Sequence, residues 1–235
     1  MKKIWVIKEL EKHPLFTLND FVRLAKKPPE YARTYLYRLQ KEKLVFRVEK
    51  GKYTVFDNPL VFSSYITIPS YISFWTAIRY YNLTEQLPSD IMIATAKPKK
   101  SIDFRGIKIR FFKTKHMWGY GKQRYNGFDI FVADREKCVV DSMLIKNTPF
   151  DEVIKSIRQK GTDKKKLAEY AIKTGNKALM KRIGFTLRKI PDFNAEWLIK
   201  HLDNNYIPLD WDHNKKGKKD KEWKIIINRR LDDIT

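Results

Sequence analysis

The chain has a single cysteine, Cys138, among 235 residues. An intramolecular disulfide is therefore excluded, and so is a cysteine-rich zinc site. Its four histidines, His13, His116, His201 and His213, stand far apart, without the paired spacing that zinc ligation demands. No stretch approaches the roughly 18 consecutive apolar residues that cross a bilayer. Near the N-terminus, Lys8, Glu9 and Glu11 interrupt the apolar core a secretory signal would need. These absences predict a soluble, cytoplasmic protein with no metal or other cofactor. Acidic residues are the other scarcity: 27 face 49 Lys and Arg, a formal charge of +22 with a pI near 9.9. Lysine-rich surfaces of heat-stable proteins carry matching glutamates, and here the acids are too few to absorb the excess. Such a balance favours a polyanionic partner, nucleic acid ahead of a membrane surface. With 43% hydrophobic and 14% aromatic residues the chain has the means to bury real cores, so global disorder is excluded.

The most informative stretch runs from Thr17 to Phe56. Thr17 suits an N-cap, and Leu18, Phe21, Val22 and Ala25 follow at i, i+3, i+4 and i+7, one apolar helix face. Pro28-Pro29 breaks that helix and suits the first position of the next. In the second helix Ala32, Tyr35, Leu36, Leu39 and the stem of Lys43 share a face. Glu30, Arg33, Thr34, Tyr37, Arg38 and Lys41 lie opposite, with Tyr31 at the edge. Val45–Val48, a Glu49-Lys50-Gly51 turn and Lys52–Phe56 then read as a hairpin. Ile4, Ile7 and Leu10, with Trp5 beside them, predict a first helix packed behind the other two. Helix, break, helix and basic hairpin make a winged helix-turn-helix, whose second helix enters a DNA major groove. Arg33, Thr34, Tyr37 and Arg38 are the candidate groove contacts, since arginine pairs bidentately with guanine edges. Tyr31 flanks them, and Lys41 is placed to meet phosphate. Arg47, Lys50 and Lys52 put charge on the hairpin, where a wing touches backbone or minor groove. A winged helix can also be a protein-interaction adaptor, in which case Tyr31 and Tyr37 merely pack.

Residues 1–56 carry 14 basic and 6 acidic side chains, so most of the net charge lies further on. Asp57-Asn58-Pro59 signals a turn and a boundary, giving a winged helix at 1–58 and a mixed α/β domain at 59–235. Ser70 is a candidate cap for a helix running to about Tyr81. Ile91–Thr95, Ile107–Phe112 and Phe128–Ala133 read as strands around a loop at 118–121. Asp134 caps a helix through Leu144. Helical periods follow at 150–159, 164–173, 177–189 and 195–202. A lysine-rich loop at 214–220 precedes a late strand at 223–228. The fold class is α+β: the winged helix first, then a mixed α/β domain whose later half is helical.

Several motifs of this second part carry a family likeness. Tyr71-Ile-Ser-Phe-Trp-Thr-Ala-Ile-Arg-Tyr-Tyr-Asn-Leu-Thr-Glu-Gln-Leu-Pro88 is similar to a YxSxxxALxxxGLxxQ helix and loop, with Asn82 at the glycine position. Val132-Ala-Asp-Arg-Glu-Lys137 with Asp141 resembles an AxxEKxxxD segment. Tyr170-Ala171, Gly175-Asn176 and Arg182-Ile-Gly-Phe185 resemble a helix pair ending in RLGY, and Trp223-Lys-Ile-Ile-Ile-Asn228 a closing WxxxxN strand. In this order they resemble the AbiEi-type antitoxins of type IV toxin–antitoxin (abortive infection) systems. The resemblance implies a DNA-binding autorepressor on an operator of inverted repeats. It also implies an antitoxin countering a nucleotidyltransferase-like toxin, without a tight complex between the two, and no catalysis.

Two other chemistries compete. Asp210-Trp-Asp212 offers paired carboxylates for magnesium, but nucleotidyl transfer also wants a glycine–serine phosphate cradle, and the sequence has no Gly-Ser pair. Pro208-Leu-Asp210 with Glu222-Trp-Lys224 resembles the PD-(D/E)xK pattern of metal-dependent nucleases, although its proline and aspartate are not adjacent. Glu136 and Asp141, near Arg135 and Lys137, are either an antitoxin determinant or i,i+4 pairing on a helix. The basic helices from Lys164 to Lys189 are open to DNA, RNA or protein.

Overall fold

The computed structural model describes residues 3–191 and 193–234. Its first elements follow the predicted order: helix α1 (Lys3–Leu10), strand β1 (Phe16–Thr17), helix α2 (Leu18–Ala25), helix α3 (Pro29–Lys41), and strands β2 (Phe46–Glu49) and β3 (Lys52–Thr54). Thr17 closes a reciprocal capping box: its Oγ1 accepts from the Asp20 N–H at 3.2 Å, while Asp20 accepts from the Thr17 N–H at 2.8 Å. Pro29 occupies the first turn of α3, where its missing N–H costs nothing. Phe21, Ala25, Ala32, Leu36, Leu39 and Val45 are buried together with Val6, Leu10 and Phe16. The buried stripe of α1 is therefore Val6 and Leu10, one turn apart. Ile4, two residues before Val6 and nearly opposite it on the helix, is 74% exposed, and Trp5 is 46% exposed. Lys43 does not extend the inner face of α3. It lies beyond the helix end with φ +58°, exposed. The wing has a third strand that two residues could not announce, with Phe16 and Thr17 of β1 pairing with Tyr53 and Lys52 of β3.

These elements belong to a compact unit comprising Met1–Ile72, Ser89–Met117 and Lys122–Val132. Its other part is a six-stranded sheet in the order β6-β7-β5-β4-β9-β8. The strands are β4 (Ser70–Ile72), β5 (Asp90–Thr95), β6 (Ile102–Phe104), β7 (Ile107–Lys113), β8 (Tyr120–Tyr125) and β9 (Phe128–Ala133). The helix expected from Ser70 begins later, as α4 (Phe74–Tyr80) with Ser73 at its N-cap position. Residues 70–72 are fully inside and serve as a central strand, antiparallel to β5 and parallel to β9. Strand β8, whose first two residues fall in the stretch read as a loop at 118–121, is a largely exposed edge. Without an apolar alternation it has no strand signature. Hairpin turns at Arg105-Gly106 and Asn126-Gly127 have positive φ at both residues, the primed geometry that matches strand twist.

The second unit comprises Ser73–Pro88, Trp118–Gly121 and Ala133–Thr235. It centres on helix α5 (Arg135–Ile145), capped by Asp134, whose carboxylate accepts from the Lys137 N–H at 2.8 Å. Helices α6 (Phe150–Arg158), α7 (Lys164–Thr174) and α8 (Lys177–Leu187) surround it. Gly175, at φ +70°, ends α7, and Asn176 caps α8. The helix expected at 195–202 is a 3₁₀ stretch, Glu196–His201. Strands β10 (Ile207–Pro208), β11 (Lys218–Asp220) and β12 (Ile225–Ile227) form a small sheet in the order β10-β12-β11. Strand β11 thus lies inside the stretch read as a lysine-rich loop.

Several residues of the motifs that carried the resemblance are bonded or packed within this unit. A methyl group on Gly184 of α8 would fall 1.8 Å from the Trp223 ring, so that glycine makes room for the tryptophan. Arg182 donates to the Pro208 and Leu209 carbonyls at 2.9–3.1 Å. The Asn228 side chain clamps the backbone of Asp210 from both sides, at 2.9 and 2.8 Å. Lys137 and Asp141, one turn apart on α5 and both buried, form an ion pair, and the Ser73 hydroxyl donates to Asp141 at 2.8 Å. Of the two readings of the 136–141 acids, i,i+4 pairing accounts for Asp141. Glu136 accepts from the Asp163 N–H at 2.9 Å and pairs with Lys166 at 2.9 Å.

Candidate nucleic-acid interface

Helix α3 presents to solvent the face opposite its buried stripe. Tyr31, Arg33, Thr34, Tyr37, Arg38 and Lys41 are all exposed, Tyr37 by 59%. The aromatic positions are braced from beneath. Tyr31 stacks on Tyr35 at 5.9 Å, and Tyr35 on buried Phe21 at 6.0 Å, so a continuous stack ties the surface to the core of the helical bundle. Lys41 lies over the Tyr37 ring at 5.4 Å. The Thr34 hydroxyl donates back to the Glu30 carbonyl at 3.1 Å, which fixes its rotamer and leaves its oxygen free to accept.

Nearby acids determine how much of this charge stays available. Glu42 pairs with Lys3 at 2.7 Å, on the side of α1. On the wing, Glu49 is held by Lys52 at 3.0 Å and by Lys99 at 2.7 Å. Among the described residues, Arg33, Arg38, Lys41, Arg47 and Lys50 have no carboxylate partner. Arg47 aligns its Nε on the Glu49 carbonyl at 3.3 Å and keeps its guanidinium exposed. Lys50 sits at the hairpin tip beside Gly51, whose φ of +79° favours glycine. Lys52, expected on the contacting side of the wing, is instead directed into the fold. Its ammonium bonds the Ile66 carbonyl as well as Glu49, and the side chain is 31% exposed. Its charge stabilises the wing rather than the surface. Two cations escaped the sequence reading: Lys26 and Lys27, exposed in the turn that leads into α3.

Glu49 gives this arrangement a pH dependence. Burial pushes its carboxyl up, but hydrogen bonds from Lys99 and Lys52 outweigh burial and hold it below the ordinary value of 4.5. A carboxyl depressed in the folded state stabilises fully above its unfolded value. That contribution disappears as pH falls through the folded value. E49Q is therefore expected to melt lower than the parent at neutral pH, with the two melting temperatures converging below about pH 4. A gap that stays constant down to pH 3 would remove Glu49 from this role.

Residues 6–55 match the family model described as transcriptional regulator, AbiEi antitoxin. Over this stretch the chain is similar to that regulator family. The matched stretch begins at Val6, the first buried position of α1, and ends one residue past β3, at Val55. The stretch similar to that family and the winged-helix elements are thus the same piece of chain. No curated protein matches the chain.

The competing chemistries find their residues engaged elsewhere. Asp210 is fully buried, with His213 Nδ1 at 2.8 Å and Arg229 at 3.2 Å, while Glu222 is bound by Arg188 at 2.7 Å. Lys224 points its ammonium at the Tyr206 ring, 5.8 Å away. Asp212 accepts from the Phe150 N–H at 2.9 Å, at the start of α6. Among the described residues no three His, Cys, Asp or Glu side chains are grouped to hold a metal ion. On the basic helices α7 and α8 several cations are engaged, while Lys165 and Lys177 are exposed. Lys166 pairs with Asp134 and Glu136, Lys181 with Asp203, and Lys173 covers Trp118 at 4.6 Å. No described helix is long and apolar enough to cross a membrane.

Proposed function

We propose that this protein is a cytoplasmic, operator-binding autorepressor and antitoxin, with residues 1–58 as the DNA reader and residues 59–235 supplying the antitoxin activity. The observation that carries this reading is the uncompensated cationic face of α3 and the wing tip, built on a segment of the AbiEi regulator type. Arg33, Thr34, Tyr37 and Arg38 read base edges in the major groove, with Tyr31 stacked behind them. Lys41, Arg47 and Lys50 meet phosphates and set the register, while Lys52 braces the wing. An operator of inverted repeats would seat two copies. The toxin it counters is nucleotidyltransferase-like and is silenced without a tight complex. The chain itself uses no cofactor and catalyses nothing.

The test has two arms. The full chain is titrated with DNA from upstream of its own gene, and with a scrambled fragment, across a salt series. Tighter binding to the upstream fragment and a steep loss with salt are expected. Equal affinity for both, or no salt dependence, would leave a protein-binding adaptor as the better account. Separately, co-expression with a neighbouring nucleotidyltransferase-like gene should restore growth that the toxin alone arrests.

A further inference from the structure

The loop before β6 and the β6–β7 turn carry Lys97, Lys100 and Arg105, all exposed and without a carboxylate partner among the described residues. Of their basic neighbours, Lys99 is engaged by Glu49 and Arg110 by Asp90 at 2.5 Å, while Lys108 is exposed opposite Asp103 in the ladder register. This cluster adjoins the wing. The Lys99 ammonium reaches Glu49, the residue before the wing-tip Lys50, at 2.7 Å. Lys97 and Lys100 lie within two residues of Lys99, so their backbones stand within about 8 Å of it. The Arg105 guanidinium lies over the ring of Phe46, on wing strand β2, at 4.4 Å, and Phe104 meets the same ring edge-on at 6.1 Å.

Arg105 is also an unusual choice for its position. It is the first residue of a primed turn, with φ +56°, where asparagine, aspartate or glycine is preferred and an arginine is conformationally strained. Its guanidinium is held over the Phe46 ring and stays exposed at the turn. We infer that Lys97, Lys100 and Arg105 form a second phosphate-binding surface that carries the wing's contact further along the DNA backbone, flanking the operator. The inference rests on the DNA-reader reading above. Flexible lysines and an arginine held at a hairpin turn supply charge without base readout, so this surface contributes affinity and footprint length, not sequence preference.

The test compares the full chain with its K97Q/K100Q/R105N variant. Asparagine suits the turn, and R105N alone is measured beside it with a thermal melt to confirm an intact fold. Each lost phosphate contact removes about 0.9 from the slope of log K against log salt. The triple variant is expected to show a slope shallower by roughly 2–3, with the operator-to-scrambled ratio unchanged. Trimming the flanking DNA should erase the difference between parent and variant. An unchanged slope, or a lost operator preference, overturns the inference while leaving the reader in place. If the parent itself shows no salt-dependent preference for the operator, the reader fails and this surface with it.

Discussion

Replacing Arg33 and Arg38 together with alanine is expected to weaken operator binding by about 2–6 kcal/mol, roughly 30-fold to 10⁴-fold, since each bidentate arginine–base pair contributes about 1–3 kcal/mol. The loss should fall on the operator and hardly at all on scrambled DNA, so specificity collapses while weak, salt-sensitive binding persists. K41A should behave in the opposite way, lowering affinity for both fragments and reducing the salt slope by about 0.9. The fold is not at stake in either variant, because all three side chains are exposed and none has an acidic partner among the described residues. Gel-shift titrations at two salt concentrations decide the matter. A double variant that keeps its operator preference would show that α3 is not the reading helix.

The second large effect lies far from α3 in sequence and concerns stability. Lys137 is fully buried; burial pushes its ammonium down, against the opposing pull of Asp141. Its stem packs against Gly119, whose added methyl would come within 3.2 Å of it, and its ammonium lies 4.8 Å from the Trp118 ring. Removing one member of such a pair leaves the other charge buried without its counter-ion. K137M is expected to destabilise the protein by about 3–5 kcal/mol, a fall in melting temperature of roughly 6–20 °C for a chain of this size. K137M/D141L should recover much of that loss, because two apolar side chains no longer strand a charge. Melting curves for the parent, single and double variants give the answer. A single variant within about 1 kcal/mol of the parent would mean that water reaches the site and the pair is not buried in solution.

This pair also bears on the motifs quoted for the second part of the chain. Ser73, Lys137 and Asp141, then Gly184 with Trp223, and Asn228 with the Asp210 backbone, are packing and bonding partners within one unit. These motifs specify how the unit's interior fits together.

What the sequence alone determined was local. Periodic apolar residues, a capping threonine and a proline pair defined α2 and α3, because helix registration depends on neighbours three and four residues away. The same signals named the outward face of α3. They misplaced the face of α1, where a helix of two turns left Ile4 and Val6 as rival choices, and they missed β1 and β8, whose residues are too few or too polar to show a period. The tertiary structure decided which charges remain free. Lys52 was drawn inward by the Ile66 carbonyl, Glu49 was neutralised by a lysine 50 residues away, and Lys97, Lys100 and Arg105 were brought beside the wing. Coulombic and hydrogen-bonding partners are chosen by distance in space, which no window of sequence contains.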